Sequence, residues 1–469
     1  MRVAAYPTYK PSGIDWLGAV PAHWGVDRIK WTTTGTVNGI WGDEPNEIDD
    51  LICVRVADFD RQGFRVVDEP PTLRAVDRAQ RRGRLLKKGD LLIEKSGGGE
   101  RQLVGCVVYF DHDFEAVCSN FVARMPIVGT HSPRYWAYAH ASMYSGRVNY
   151  PAIKQTTGIQ NLDSAAYLDS RVGFPPKEEQ ELIAVFLDRE TAKIDALVSK
   201  KHKLIERLNE KRAALISRTV TRGLPPAAAR AAGLDPHPKL KPSGLAWLEA
   251  IPEHWKVNRL ATATTMITNG FVGPTRDILV DDGIRYLQSL HIKGNRIIFD
   301  TQYFVEQEWS REHGRSVLRR GDVLIVQTGD IGQVAVVPPE FEGCNCHALI
   351  IARPRPGTLS GDFLAFFLNS SFGFDELKRV ETGALHPHLN CGFVRDIRFP
   401  LPPSREQEAI ASYLKRETSV LDALVQAIET ARDRLLEYRT ALISAAVTGK
   451  IDVRGTAAAE PPAGSTLPS

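Results

Sequence analysis

A stretch of sequence that returns half a chain later constrains a fold more than any isolated motif, because both copies must satisfy one set of packing rules. Lys10-Pro11-Ser12-Gly13, Trp16-Leu17, Pro21 and His23-Trp24 recur as Lys241-Pro242-Ser243-Gly244, Trp247-Leu248, Pro252 and His254-Trp255, displaced by 231 residues without a gap. Arg28/Arg259 and Asn38-Gly39/Asn269-Gly270 keep that displacement. Lys88-Gly89-Asp90-Leu91-Leu92-Ile93 matches Arg320-Gly321-Asp322-Val323-Leu324-Ile325 at 232 and reads as a turn entering a buried strand. Glu179-Gln180 and Ala214-Leu215-Ile216-Ser217 match Glu406-Gln407 and Ala441-Leu442-Ile443-Ser444 at 227. The 469 residues therefore form two halves on one blueprint. Residues 40–85 and 271–316, and again 97–160 and 329–388, diverge inside it. One scaffold with two different recognition surfaces accounts for this; drift of loops after a duplication is the plain alternative.

Each half ends in a long uninterrupted pattern. From Lys177 to Arg222 there is no Gly or Pro, and Leu187, Ile194, Lys201, Leu208 and Leu215 fall every seventh residue, with Leu197 and Leu204 three residues on as companions. Leu414, Leu421, Ile428, Leu435 and Leu442 repeat the spacing, with Leu424, Ala431 and Tyr438 alongside. Phe174-Pro175-Pro176 and Phe399-Pro400-Leu401-Pro402-Pro403 mark the entries, and Ser404 with Gln407 has capping-box spacing. The first helix starts acidic at Glu178, Glu179 and Glu181 and ends basic at Lys211, Arg212, Arg218 and Arg222, an order that favours antiparallel pairing. Domains on two antiparallel helices are carried to opposite ends of the rod, which suits two sites a fixed distance apart, as on a DNA duplex. A dimerisation stalk between protein-binding domains fits the same pattern, so a coiled-coil adaptor stays open as a second reading.

Composition narrows the class without deciding it. With 43% hydrophobic and 25% charged residues the chain is globular, no apolar run approaches a membrane span, and the start lacks a secretory core, so a cytoplasmic protein is expected. A net charge of +3 permits a polyanion partner but does not demand one. Six scattered cysteines argue for reduced thiols. Cys344-Asn345-Cys346-His347 lacks the second ligand pair that a zinc site needs, so buried strand cysteines are expected and no metal.

The ordered, duplicated set of Lys-Pro-Ser-Gly-x-x-Trp-Leu, Gly-Asp-Leu/Val-Leu-Ile, the Pro-Pro-x-x-Glu-Gln helix start and the Ala-Leu-Ile-Ser helix end resembles the specificity subunit of Type I restriction-modification enzymes over residues 6–224 and 238–453. The resemblance implies an α+β fold: two mixed α/β target-recognition domains (1–174 and 241–400) joined by two spacer helices (175–224 and 401–450) in an antiparallel coiled coil, a pseudo-twofold tandem repeat. Residues 225–240 are expected as a linker and 451–469 as a disordered tail. It further implies a non-catalytic subunit that reads bipartite double-stranded DNA. Its partners would be two methyltransferase subunits carrying S-adenosylmethionine and restriction motor-nuclease subunits using ATP and Mg, with no cofactor in this chain. Leu187, Ile194, Leu208, Leu215, Leu414, Leu421, Ile428, Leu435 and Leu442 are then the spacer and subunit-docking residues.

The residues themselves offer no catalytic set. Pro-Pro never sits in an Asn/Asp-Pro-Pro-Tyr/Phe loop, no Gly-x-x-x-x-Gly-Lys-Ser/Thr occurs, and Asp90 with Glu94-Lys95 has the wrong spacing for a nuclease metal site, leaving Asp90 as a turn aspartate. Ser96-Gly97-Gly98-Gly99 reads as a flexible hairpin rather than a phosphate nest. Base-reading candidates are polar and aromatic residues at divergent positions beside the shared frame: Lys95, Ser96, Tyr150, Lys154, Gln155 and Thr156 in the first half, Gln327, Thr328, His386 and His388 in the second. The solvated loop is the alternative for each. Trp16, Trp24, Trp247 and Trp255 are expected as packing anchors.

Overall fold

The computed structural model describes residues 4–99, 102–156, 158–383 and 387–455. Contacts divide the chain into two units, residues 1–201 with 430–469, and residues 202–429. The division falls inside the two long helices, Lys177–Arg222 and Ser404–Val447, rather than at their starts. Each unit thus holds one globular domain, the first part of one helix and the last part of the other.

The shared frame explains why both units fold alike. In unit 1 a six-stranded sheet has Leu91–Glu94 at its centre between Val122–Met125 and Val107–Tyr109, with Val37–Asn38 on the outer side of Val122–Met125. In unit 2 the strands Val323–Val326, Leu349–Pro354, Val334–Val336 and Thr264–Asn269 take the same places. The central strands are buried at every position, as continuous apolar runs require. The Gly-Asp ahead of each is a turn: Gly89 and Gly321 have φ of 96° and 84°, open to glycine at no steric cost. Asp90 accepts from the Lys87 amide and the Arg124 guanidinium, and Asp322 from the Arg319 amide (2.8 Å) and Arg353 (2.7 Å). The turn aspartate is therefore a structural acceptor in both halves.

The duplicated His-Trp and Glu-Gln motifs meet at the start of each long helix. Trp24 is fully buried, its indole N–H donating to Glu179 (3.1 Å), which also bonds His23 (2.7 Å) and Tyr6 (2.6 Å). Trp255 and His254 make the same pair of bonds to Glu406 (3.0 and 2.7 Å). Trp24 and Trp255 are the expected anchors and Trp247 stacks on Phe372, whereas Trp16 is 40% exposed. The neighbouring glutamine ties the helix to the preceding loop. The Gln180 side-chain oxygen accepts from the Ser132 amide (3.0 Å) and its NH2 donates to the Pro175 carbonyl (2.9 Å), as Gln407 does with Ser360 (2.8 Å) and Pro402 (2.8 Å). Gln407 is thereby committed, and Ser404 donates to the Gly357 carbonyl (2.8 Å), so the capping box that their spacing suggested is not formed.

Within each unit the segments of the two helices pack with opposite sense. In unit 2, Ile205 and Leu208 cluster with Leu421 and Ile428, while the later Ile216 and Val220 join the earlier Ile410 and Leu414. In unit 1, Leu187 and Ile194 share a core with Leu442, Ile443 and Ala446. One ion pair recurs: Asp195 with Arg439 (2.9 Å) in unit 1, and its counterparts Asp422 with Arg212 (3.1 Å) in unit 2. The expected companions Leu197, Leu204, Leu424 and Tyr438 are 45–56% exposed. The seam instead uses the position four residues on from each heptad residue, where Thr191, Val198, Ile205 and Arg212, or Thr418, Val425, Arg439 and Ala446, stand buried or half-buried. The threonine hydroxyls donate to the carbonyl four residues back, Thr191 to Leu187 and Thr418 to Leu414 (2.7 Å each), so they enter the seam without an unmet bond.

Two boundary expectations change. Residues 226–231 form a short helix, Pro226–Ala231, with Ala229 buried, so the segment expected as a linker is in part structured. At the other end Asp452 donates its amide to the Ala4 carbonyl (2.7 Å) and Val453 is fully buried, so the tail expected from 451 is ordered to 455; residues 456–469 lie outside the described residues.

Candidate nucleic-acid interface

The central strand of each sheet runs out into the divergent segment, and there the candidates converge. In unit 1, Lys95 follows Glu94 directly. The amides of Lys95 and Ser96 donate to the Phe121 carbonyl (2.8 and 3.3 Å), and the Lys95 carbonyl accepts from Leu162 (2.8 Å). Ser96–Gly97 then pairs with Ile159–Leu162, which pairs with Ile153–Thr156. Lys95, Ser96, Lys154, Gln155 and Thr156, separated by about sixty residues in sequence, therefore share one small sheet or its immediate approach. Tyr150, 64% exposed, lies in the turn leading into it.

The polar groups there are held in place. Ser96 Oγ donates to Asn161 Oδ1 (2.6 Å), Lys95 Nζ to Asn38 Oδ1 (2.8 Å), and Lys154 Nζ to Asp163 Oδ2 (2.7 Å). Partial burial lowers the Lys95 pKa from its ordinary value. Gln155 is exposed. Behind this edge Glu94, fully buried, is paired with Arg61 (2.8 Å); burial raises its pKa and the Arg61 guanidinium opposes that rise. The glycines serve close approach. A Cβ on Gly98 would stand 2.8 Å from Gln160 Oε1 and 2.9 Å from the Gln102 carbonyl, and one on Gly97 2.8 Å from Glu94 Oε1. In the run expected as a flexible hairpin, Gly97 and Gly98 are thus closely packed, Gly99 has open space around it and donates its amide to the Gln102 carbonyl (2.8 Å), and residues 100 and 101 lie outside the described residues.

Unit 2 builds the same edge from other residues. Gln327 succeeds Val326, and its carbonyl accepts from Leu389 (3.0 Å), the counterpart of the Lys95–Leu162 bond. Leu389 and His388 pair with Glu381–Thr382, so the Gln327 backbone is bonded to the residue that follows His388. Thr328 is exposed, and the Gln327 side-chain oxygen is buried without a partner. His388 accepts at its carbonyl from Thr382 Oγ1 (3.2 Å). His386 lies outside the described residues. No side chain in unit 2 matches the Arg61–Glu94 pair, because Val326 occupies the carboxylate's place.

Sequence reasoning missed Asn38, Asn161, Gln160 and Phe121. Asn38 had a signal, since Asn38-Gly39 and Asn269-Gly270 are duplicated. The glycines are needed because a Cβ would strike the carbonyls of Cys118 (2.2 Å) and Cys346 (2.5 Å), and each asparagine is thereby carried to the edge. Asn269 Oδ1 accepts from Cys391 Sγ (2.8 Å), where Asn38 takes Lys95. Cys344 and Cys346 are buried in the strand region and their thiol pKa values are pushed up, Cys344 to about 11. Among the described residues no cluster of His, Cys, Asp and Glu is arranged to hold a metal ion, and no helix is long and apolar enough to cross a membrane.

One duplicated scaffold thus presents two polar edges of different composition, one in each unit. Residues 254–431 match the family described as the Type I restriction modification DNA specificity domain. The MjaVIII specificity subunit of Methanocaldococcus jannaschii is 22% identical over 303 residues, 64% of this chain and 66% of its own. The EcoBI specificity subunit of Escherichia coli is 22% identical over 297 residues, 62% and 61% of the respective chains. The chain thus matches slightly under two thirds of the length of these relatives. A chain solved in work on complex assembly and conformational transition of the type I R-M system has the same fold, with a TM-score of 0.62 at 18% identity over 91% of this chain and 98% of that one. The chain is thus similar in sequence to Type I specificity subunits and shares its fold with a chain from a type I R-M system.

Proposed function

We propose that the chain is the DNA-reading specificity subunit of a Type I restriction-modification complex and recognises a bipartite sequence with one edge per half. The observation that carries this is the duplicated edge: Lys95/Gln327 and Ser96/Thr328 occupy equivalent places on one frame with different hydrogen-bonding chemistry, as reading two different half-sites requires. The two long helices are proposed to pair antiparallel along their length, relating the domains by a pseudo-twofold axis; the recurrence of the Asp195–Arg439 pair as Asp422–Arg212 supports that arrangement.

Recruitment of two methyltransferase subunits, and of restriction subunits, falls to outward helix residues. Of the spacer and docking residues named from the sequence, Leu187, Ile194, Leu208, Leu414, Leu421, Ile428 and Leu442 are buried and Leu215 and Leu435 half-buried, which supports a spacer role for them over a docking one. Leu197, Leu204, Leu424 and Tyr438 are available instead. Catalysis, with S-adenosylmethionine, ATP and Mg, is assigned to those partners and not to this chain.

The test is binding to duplex DNA by the complex isolated through this chain, titrated with salt. A reader that neutralises several phosphates loses affinity steeply with ionic strength and retains a preference for one bipartite sequence over random duplex. Salt-independent binding without sequence preference would leave a protein-binding adaptor as the function.

A further inference from the structure

Each edge carries one half-exposed phenylalanine where the other unit has alanine, and at different positions. Phe121 is 49% exposed and precedes Val122, which pairs with Glu94; its counterpart Ala348 precedes Leu349, which pairs with Val326. Phe393 is 51% exposed in a short helix, Cys391–Val394, capped by Asn390; its counterpart Ala166 lies in Ser164–Leu168, capped by Asp163. Both phenylalanines sit beside the candidate edge. The Phe121 carbonyl holds the amides of Lys95 and Ser96. Two residues before Phe393, Cys391 bonds Asn269, the counterpart of the asparagine that takes Lys95.

A lone exposed aromatic on a protein surface means little. Two in reciprocal exchange with alanine, each beside polar groups of the same edge, on backbone fixed by hydrogen bonds, make a stronger case. The bases offer apolar partners of matching kind: the C5-methyl of thymine in the major groove, and the face of an unstacked base. We propose that Phe121 and Phe393 are specificity-determining residues, each making an apolar contact with a base in one half of the target. The proposal rests on the DNA-reading function above. It adds that the two edges differ in where this contact falls as well as in their hydrogen bonds.

The experiment is selection of binding sites from a randomised duplex library by the complex purified through the full chain from its own host. Wild type, Phe121→Ala, Phe393→Ala and the milder Phe121→Leu are compared, with thermal melting to verify the fold. Phe121→Ala installs the residue of the other unit. The expected result is a loss of about tenfold in preference at one or two positions of one half-site, with the other half-site unchanged, and the converse for Phe393→Ala. Replacing thymine by uracil in the selected site then separates the two contacts. If the wild type loses a similar preference, the partner is the methyl group; if it does not, the partner is the base face. Unchanged selection by both alanine variants, or equal loss in both half-sites from either one, overturns the proposal while leaving DNA reading intact. A wild-type complex that selects no sequence overturns the DNA-reading function and this inference with it.

Discussion

At the scale of single residues, the duplicated motifs are explained by a few buried acceptors. Glu406 is 6% exposed and bonds both His254 and Trp255, so removing it strands the fully buried Trp255 indole N–H, while the half-exposed His254 can turn to water. Glu406→Ala is expected to cost about 1–3 kcal/mol, and Glu406→Gln about half of that, since an amide oxygen still accepts from Trp255. Denaturant unfolding of the full chain measures both; equal, negligible losses would mean that the motif is conserved between the halves for another reason. The sequence revealed that these residues recur but not that they touch, because His-Trp and Glu-Gln are more than 150 residues apart and only the fold brings them together. Asn38 went unread for the same reason. Its duplicated glycine neighbour marked a close approach of backbone, and what the asparagine faces is decided by a strand 57 residues away.

At the scale of elements, the long helices were legible in the absence of Gly and Pro and in the sevenfold repeat, while the phase of their seam was not. Companions three and four residues from the heptad leucines both satisfy the repeat, and the more apolar set, Leu197, Leu204, Leu424 and Tyr438, attracts the eye. Tertiary packing selected the other set because small and β-branched residues admit a close helix approach and because Arg212 and Arg439 find carboxylates across it. Leu208→Ala, at a buried position beside Ile205, Leu421 and Ile428, is expected to destabilise by about 2–4 kcal/mol. Leu204→Ala, 45% exposed, is expected to change stability by less than about 0.5 kcal/mol. Unfolding midpoints of the two variants decide the phase, and a larger loss from Leu204→Ala would return the seam to the other face. Hairpins at the candidate edges were only partly foreseen, since Ile153–Thr156 and Ile159–Leu162 join Ser96–Gly97 through pairings that no local pattern encodes.

At the scale of the whole molecule, the proposed function turns the helices into a ruler. Deleting one heptad from each helix removes seven residues of rise, about 10 Å. The number of unread base pairs between half-sites is expected to fall, by about three at the rise of B-DNA, while each half-site stays the same. Site selection by the shortened complex reads this directly, and an unchanged spacer would remove the ruler from the proposal. The sequence by itself determined the repeat, its frame and its long helices, because those depend on periodicity and turn chemistry that act over a few residues. It also separated shared from divergent segments, which is why Lys95, Ser96, Gln327 and Thr328 stand out as candidates. Tertiary structure alone decided which face of each helix is buried, which distant motifs are bonded, and that Phe121 and Phe393 stand beside the edges. Those are matters of burial and pairing between residues far apart in the chain, and no local pattern carries them.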